Sequence, residues 1–318
     1  MGLNENLHTP LQSIKKTKLP FRLSTTSFIY PDKIIPNVIK LAPFFDEIEL
    51  LFFESRPFIL NGKAIDVLPS PVEIKELAEL SMEFDITYNI HLPVDISMTD
   101  SSFALRRKAS DTIRSVLELC ALLSPTTHTL HLDFNSDSYA GRKKKCNYND
   151  VNDQTVVRWR EMAFASLSHL AKSLTDTSAI SIETLDYPFE YLDGIIDACG
   201  MSVCVDAGHL IKYGYSIDAV FKKYRDKIPL VHLHGVDFSN REEAFSGILP
   251  DDTDYLPAPT NKFPKDHQAL DKTPQNKIAE TLNVLKEFTG VVSLEVFNYE
   301  DLSASLKYLG DLTEFSGF

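Results

Sequence analysis

VCVDAGHL, residues 203–210, joins a strand-like run to a turn that carries a carboxylate, a glycine and an imidazole. Val203 and Val205 alternate as strand residues do, and the run ends in Asp206, followed by Gly208 and His209. The simpler reading of Asp-x-x-His is a capped turn, in which Asp accepts backbone N–H bonds and Gly takes the awkward dihedral. A metal site needs further ligands from distant parts of the chain, so the fold decides between the two.

Seven other runs share this character. They are RLSTTSFIY (22–30), EIELLFF (47–53), ITYNIHLPV (86–94), HTLHLDF (128–134), AISIETL (179–185), IPLVHLHGV (228–236) and GVVSLEVF (290–297), with MSVCVDA (201–207) sixth in chain order. Runs buried on both faces are what parallel sheets produce. Between them lie helical patterns: SPVEIKELAELSMEF with a Ser-Pro start, SSFALRRKASDTIRSVLELCALL, QTVVRWREMAFASLSHLAKSL, and PQNKIAETLNVLKEFTG, whose final Gly predicts a helix stop. Strand and helix alternating eight times predict an α/β chain folded as a (β/α)8 TIM barrel. A doubly wound sheet would carry a Gly-rich phosphate loop after an early strand, and the sequence has none.

The predicted organisation is a polar N-terminal arm over 1–20 and a single barrel domain over 21–318. Two connections, 135–153 and 237–270, are too long for turns, and both follow strand C-termini, the catalytic face of such barrels. The first carries the basic run Arg142–Lys145, read either as a solvated charge run or as an anion contact. The second carries Phe245, Tyr255 and Leu256, which suit either self-packing of the loop or the apolar face of a ligand.

Composition sets limits. Acidic residues outnumber basic ones by 45 to 32, a net charge of −13, which argues against nucleic acid as the main partner. No apolar run is long enough to span a membrane, and the first 20 residues lack the apolar stretch of a secretory signal. Cys120, Cys146, Cys199 and Cys204 form no CxxC pair, so reduced thiols and a cytoplasmic location are expected.

The strand ends carry the chemistry. In chain order they supply His91, His131, Glu183, Asp206 with His209, His232 with His234, and Glu295. Charged groups in a barrel mouth are costly unless paired or bound to metal. Glu183, Asp206, His232 and Glu295 make a mixed oxygen and nitrogen shell suited to Zn, Mn or Fe. His91, His131, His209 and His267 are then surplus, which predicts two or three divalent ions. Such clusters suit phosphate ester hydrolysis. His128 and His131, three apart in a strand, face opposite ways, and His131 is the ligand candidate. His232 is preferred as ligand over His234, which is assigned a catalytic contact to phosphate. His8 and His169 are read as bland, Glu49 as a satisfied buried acid and Glu54 as a possible wall residue.

These motifs resemble the xylose-isomerase-like barrel superfamily of sugar isomerases, epimerases and apurinic-site endonucleases, over about residues 21–310. VCVDAGHLIKYGY resembles its sixth-strand motif, ISIET its fifth, LVHLHG its seventh and VSLEV its eighth. The resemblance implies Glu183, Asp206, His232 and Glu295 as the shared metal set. The endonuclease branch adds histidines on strands three and four, matched by His91 and His131, and an Asp-x-His pair after strand seven. Here Asp266 and His267 are adjacent, so Asp266 as a ligand, and a full third site with His209 and His267, stay open.

Within the superfamily, residues 21–55 and YNIHLPVD (88–95) resemble the bacterial cobamide-remodelling phosphodiesterases. That resemblance implies hydrolysis of the nucleotide-loop phosphodiester of a corrinoid, giving cobinamide phosphate and an α-riboside. Glu183 would bridge two ions and position the attacking water, with Glu295 as the other candidate for that role. The main rival is a sugar isomerase or epimerase that uses one divalent metal, with Glu183 and Glu295 as the acid/base pair. An abasic-site nuclease and a non-enzymatic corrinoid- or sugar-binding barrel are further alternatives.

Overall fold

The computed structural model describes residues 19–60, 63–65, 67–134, 150–239 and 264–316. The basic run 142–145, Cys146, Phe245, Tyr255, Leu256 and all but the last residues of the predicted arm, His8 included, lie outside the described residues.

Eight parallel strands close into one barrel. They are β1 (Arg22–Thr26), β2 (Glu47–Leu51), β5 (Thr87–His91), β6 (His128–Leu130), β7 (Ile180–Glu183), β8 (Ser202–Asp206), β9 (Leu230–Leu233) and β12 (Val291–Leu294), each beside its neighbour in chain order, with β12 returning to β1. Two antiparallel hairpins lie outside the barrel: β3 (Phe58–Leu60) with β4 (Lys63–Ile65), and β10 (Gly235–Asp237) with β11 (Lys265–Gln268). The predicted barrel is therefore the observed one, with every predicted run holding a barrel strand.

The helices that wrap it begin and end as their sequences dictate. Helix α1 spans Ile34–Leu41, α2 Pro71–Phe84, α3 Phe103–Cys120, α4 Gln154–Ala171, α5 Ile195–Cys199, α6 Ala207–Tyr213, α7 Ile217–Tyr224, α8 Gln275–Leu285 and α9 Tyr299–Ser316. Ser70 and Glu73 close a reciprocal capping box on α2, with Pro71 in its first turn. One expectation is corrected: α8 stops at Leu285, so Gly290 is no helix cap. Gly290 instead precedes β12, where a Cβ would lie 2.4 Å from the Phe288 ring and 2.7 Å from the Pro229 carbonyl oxygen.

The strand register explains how a buried sheet holds a polar site. Outward positions are apolar: Ile48, Leu50, Tyr88, Ile90, Ile182, Val203, Val205, Val231, Leu233, Val292 and Leu294 pack in one core with the helices. Each fully buried aliphatic side chain there stabilises by about 1.5–3 kcal/mol. Inward positions pair across neighbouring strands as Glu49 with Asn89, Leu51 with His91, His91 with Thr129, Glu183 with Cys204, Asp206 with His232, and His232 with Ser293. The valines of VCVDAGHL thus face the helices, while Cys204 and Asp206 face the barrel axis.

The barrel lumen is layered along its axis. Cys204, Leu230 and Val291 form a small apolar plug within it. Near the N-terminal end, Glu47 accepts hydrogen bonds from Asn89 Nδ2 at 2.8 Å and Thr126 Oγ1 at 2.6 Å and pairs with Arg22. The ligand-type residues lie at the opposite, C-terminal end. Among the described residues, no helix is long and apolar enough to cross a membrane. Cys120, Cys199 and Cys204 are buried free thiols, and burial pushes Cys120 and Cys204 up to about 12.

Candidate metal centre

Asp206 is placed so that both readings of VCVDAGHL are compatible with its geometry. It caps α6, with its Oδ1 accepting the His209 N–H at 2.7 Å. Its Oδ2 stands 3.3 Å from His209 Nδ1 and 3.3 Å from His234 Nε2. Gly208 is needed for a packing reason: a Cβ there would lie 2.0 Å from His234 Cε1. The Asp-Ala-Gly-His turn delivers a carboxylate and an imidazole while leaving space for a second imidazole from the strand beside it.

The strand ends assemble three ligand-capable groups. Each offers one donor atom per residue within 4.8 Å of the others: His91, His131 and Glu183; Glu183, Asp206, His232 and Glu295; and His209, His234 and His267. Glu183 joins the first two groups because its oxygens part. Its Oε2 lies 2.7 Å from His131 Nε2 and 3.5 Å from His91 Nε2, while Oε1 lies 3.1 Å from His232 Nδ1. His232 Nδ1 is also 3.3 Å from Glu295 Oε2.

Backbone contacts set the rings. His91 Nδ1 sits 3.0 Å from the Leu92 carbonyl oxygen and His209 Nδ1 3.2 Å from that of Thr184, so each Nε2 is left for the site. His267 belongs to the β10–β11 hairpin. It takes a left-handed backbone (φ 51°), and its N–H donates to His234 Nδ1 at 2.9 Å. That φ is uncommon for a residue with a Cβ.

These residues fit a metal better than they fit one another. Glu183 Oε2, Glu295 Oε2 and His131 Nε2 are buried and have no aligned hydrogen-bond partner among the described residues, short contacts notwithstanding. Orphaned donors and acceptors of this kind are expensive unless an ion completes them. Donor atoms bound to one ion at about 2.0–2.2 Å fall within the spacing of these groups.

The electrostatics carry the same signature. Burial acts to raise Glu183, but His131 and His232 outweigh it and hold the carboxyl well below its ordinary range. Burial likewise works against Glu295, which His232 and His267 hold low. Burial acts to lower His131 and His234, yet Glu183 and Asp206 respectively lift each to about 9. His267 is lowered, by burial above all. His232, like His131, is raised against the cost of burial by the carboxylates around it, so cationic imidazoles and ionised carboxylates favour one another here.

Each residue expected to be a ligand lies in one of the three groups. His234, read from the sequence as a contact to phosphate, stands in one group with His209 and His267. Asp266 pairs with Lys212, Nζ to Oδ2 at 2.5 Å, and its Oδ2 stays 3.9 Å from His209 Nε2, outside the third group. His128 turns away, with Nδ1 3.1 Å from the Ala179 carbonyl oxygen, and burial lowers its pKa.

Glu49 is more than a satisfied buried acid. Its Oε2 accepts the Ser293 hydroxyl at 2.6 Å and its Oε1 lies 2.9 Å from His232 Nε2, on the ring edge away from the ligand group. Such a carboxylate orients a metal-binding imidazole and raises its basicity. The signal is present in EIELL: two acids two apart in a buried strand share the inward face, and both are fully buried.

A closed parallel barrel with carboxylates and imidazoles gathered at its C-terminal mouth defines a metal-capable (β/α)8 barrel of enzyme type. The chain belongs to the xylose isomerase-like TIM barrel family, whose model matches residues 44–312. No curated protein sequence matches it. Among solved structures it is similar to a D-tagatose 3-epimerase-like protein, at 18% identity and a TM-score of 0.64 over 92% of this chain and 97% of that one. It is similar to the IolI protein with a bound zinc atom, at 14% identity and a TM-score of 0.61 over 94% and 100% of the two chains. Endonuclease IV from Thermus thermophilus is similar at 16% identity and a TM-score of 0.58, over 91% and 99%. At these identities the likeness speaks for the fold.

Proposed function

We propose that this protein is a metal-dependent phosphodiesterase acting on the nucleotide-loop phosphodiester of cobamides. Its products would be cobinamide phosphate and the α-riboside of the lower-ligand base. The observation that carries the hydrolytic part is the linkage of three ligand-capable groups into one mouth, with Glu183 shared between two of them. Moving a proton beside a carbonyl uses one ion and two carboxylates, and leaves His91, His131, His209, His234 and His267 without a task. Phosphoryl transfer uses them all, because its transition state spreads charge over several oxygens. The corrinoid part rests on the resemblance of residues 21–55 and 88–95 to that family.

Two or three divalent ions, Zn, Mn or Fe, would activate water and neutralise charge on the entering and leaving oxygens. His91, His131 and Glu183 would hold one ion, and Glu183, Asp206, His232 and Glu295 a second. His209, His234 and His267 would hold the third. Glu183, held ionised, orients the water between two groups and accepts its hydrogen bond. Glu49 keeps His232 in register. Water adds its oxygen to phosphorus, the bond from phosphorus to the riboside oxygen breaks, and the riboside leaves as the alcohol.

A second reading, a sugar isomerase or epimerase with one divalent ion, is favoured by a specific feature. Glu183 and Glu295 both approach His232 Nδ1, at 3.1 and 3.3 Å, which puts two carboxylates within one ligand group as an acid/base pair. The D-tagatose 3-epimerase-like neighbour also supports it. Incubation with adenosylcobalamin and, separately, with a panel of ketohexoses decides between them. The first reading expects an α-riboside and cobinamide phosphate by chromatography; sugar epimers with intact cobamide would establish the second.

A further inference from the structure

Three phenylalanines leave the ends of adjacent strands at the mouth of the barrel. Phe28 follows β1, Phe53 follows β2 and Phe297 follows β12, and these strands are neighbours in the closed sheet. Phe28 is 47% exposed and Phe53 39%, whereas Phe52, Phe134 and Tyr187, also just past strand ends, are buried. The three rings meet edge to face, with centroids 5.1 Å apart for Phe28 and Phe53, 6.0 Å for Phe53 and Phe297, and 6.5 Å for Phe28 and Phe297.

The patch runs without a break into the ligand groups. The Phe297 ring lies 4.8 Å from the His267 ring, which lies 4.2 Å from that of His234. Phe297 is two residues from Glu295 in sequence. Wet aromatic area beside a cluster of polar ligands is the composition of a substrate pocket: apolar walls for bulk, a few polar groups for chemistry.

We propose that Phe28, Phe53 and Phe297 form an apolar corner that seats the flat, uncleaved ring portion of the substrate while its phosphoryl group lies over the histidine and carboxylate groups. The occupant is set by chemistry. Three phenyl rings offer no donor or acceptor to sugar hydroxyls, but they match a planar, largely apolar ring system several ångströms across. The corner rests on the hydrolytic reading only for the identity of the reacting group.

The test uses the metal-loaded enzyme and three ligands that share a phosphate: cobinamide phosphate, adenosine 5′-monophosphate and inorganic phosphate. Dissociation constants are measured by calorimetry for the parent, Phe28→Ala and Phe53→Ala, with metal content and thermal midpoint checked for each. The parent binds the ring-bearing ligands more tightly than phosphate. Each variant loses about tenfold for them and less than twofold for phosphate, at unchanged metal content; stacking on one aromatic ring is worth about that much. Loss confined to adenosine monophosphate, with no binding of cobinamide phosphate, keeps the corner and removes the corrinoid. Equal losses for all three ligands, or none, overturn the proposal. A lowered midpoint or changed oligomeric state without ligand effects also overturns it, and assigns the rings to packing within this chain or between copies.

Discussion

Glu183 Oε2 lies 2.7 Å from His131 Nε2, and against the cost of burial the carboxylate lifts the imidazole to about 9. The same position is where a divalent ion would bind, so proton and metal compete for this pair. Most of the pH and mutational behaviour of the site follows from that competition.

The first consequence is a pH trend that reverses with metal. His131 and His234 are both raised to about 9 in the folded, metal-free protein, against about 6.5 unfolded. A raised histidine stabilises fully below its unfolded pKa and ceases to do so as pH rises through its folded value. The melting temperature of chelator-treated protein should therefore fall between pH 6.5 and 9. His267 and His128, both lowered, act only below that window. With excess Zn or Mn the trend should turn upward over the same range, because binding displaces those protons. Parallel melts with and without chelator check this; identical slopes would contradict it.

Glu183→Gln keeps the shape of the side chain and removes the charge that two groups share. Metal content should drop by at least one ion per chain, and turnover should fall below detection, with circular dichroism unchanged. Substantial activity in this variant would remove Glu183 from the centre of the mechanism.

Glu49→Gln tests a residue that touches the site only through His232. Carboxylates behind a ligand imidazole are worth about 10–100-fold in metal affinity. Competition with a chromogenic chelator should show a weakening of that size for one ion only, with the others unaffected. An unchanged affinity would reduce Glu49 to a buried hydrogen-bond acceptor for Ser293.

Gly208→Ala addresses the third group selectively. The added Cβ would meet His234 Cε1 at 2.0 Å, too close for the ring to stay. One ion should be lost while the His91 and His232 groups keep theirs. His128→Ala, which removes a ring that faces away, should cost no metal.

The fold was legible because its two periods are clean. Strand runs and amphipathic helices alternate, and the capping box at Ser70 and Glu73 marks its helix directly. Most of the candidate site was legible for the related reason that barrel strands end at a common mouth, so polar residues at strand ends must converge. What stayed hidden depends on contacts between distant segments. His234 joins its group only because the β10–β11 hairpin brings His267 against it and Gly208 leaves it room. Glu49 meets His232 across the barrel, from strands that are not neighbours. Asp266 is diverted by Lys212, a partner 54 residues away in sequence. Gly290 has the look of a helix stop and is instead a close-packing position against Phe288.

Metal stoichiometry tests the central claim most directly. Protein purified without oxygen, exchanged free of loose ions and analysed by elemental mass spectrometry should carry two or three divalent ions per chain. A single ion per chain, unchanged after reconstitution with excess Zn, Mn or Fe, would contradict a multi-metal hydrolytic site and favour the isomerase reading.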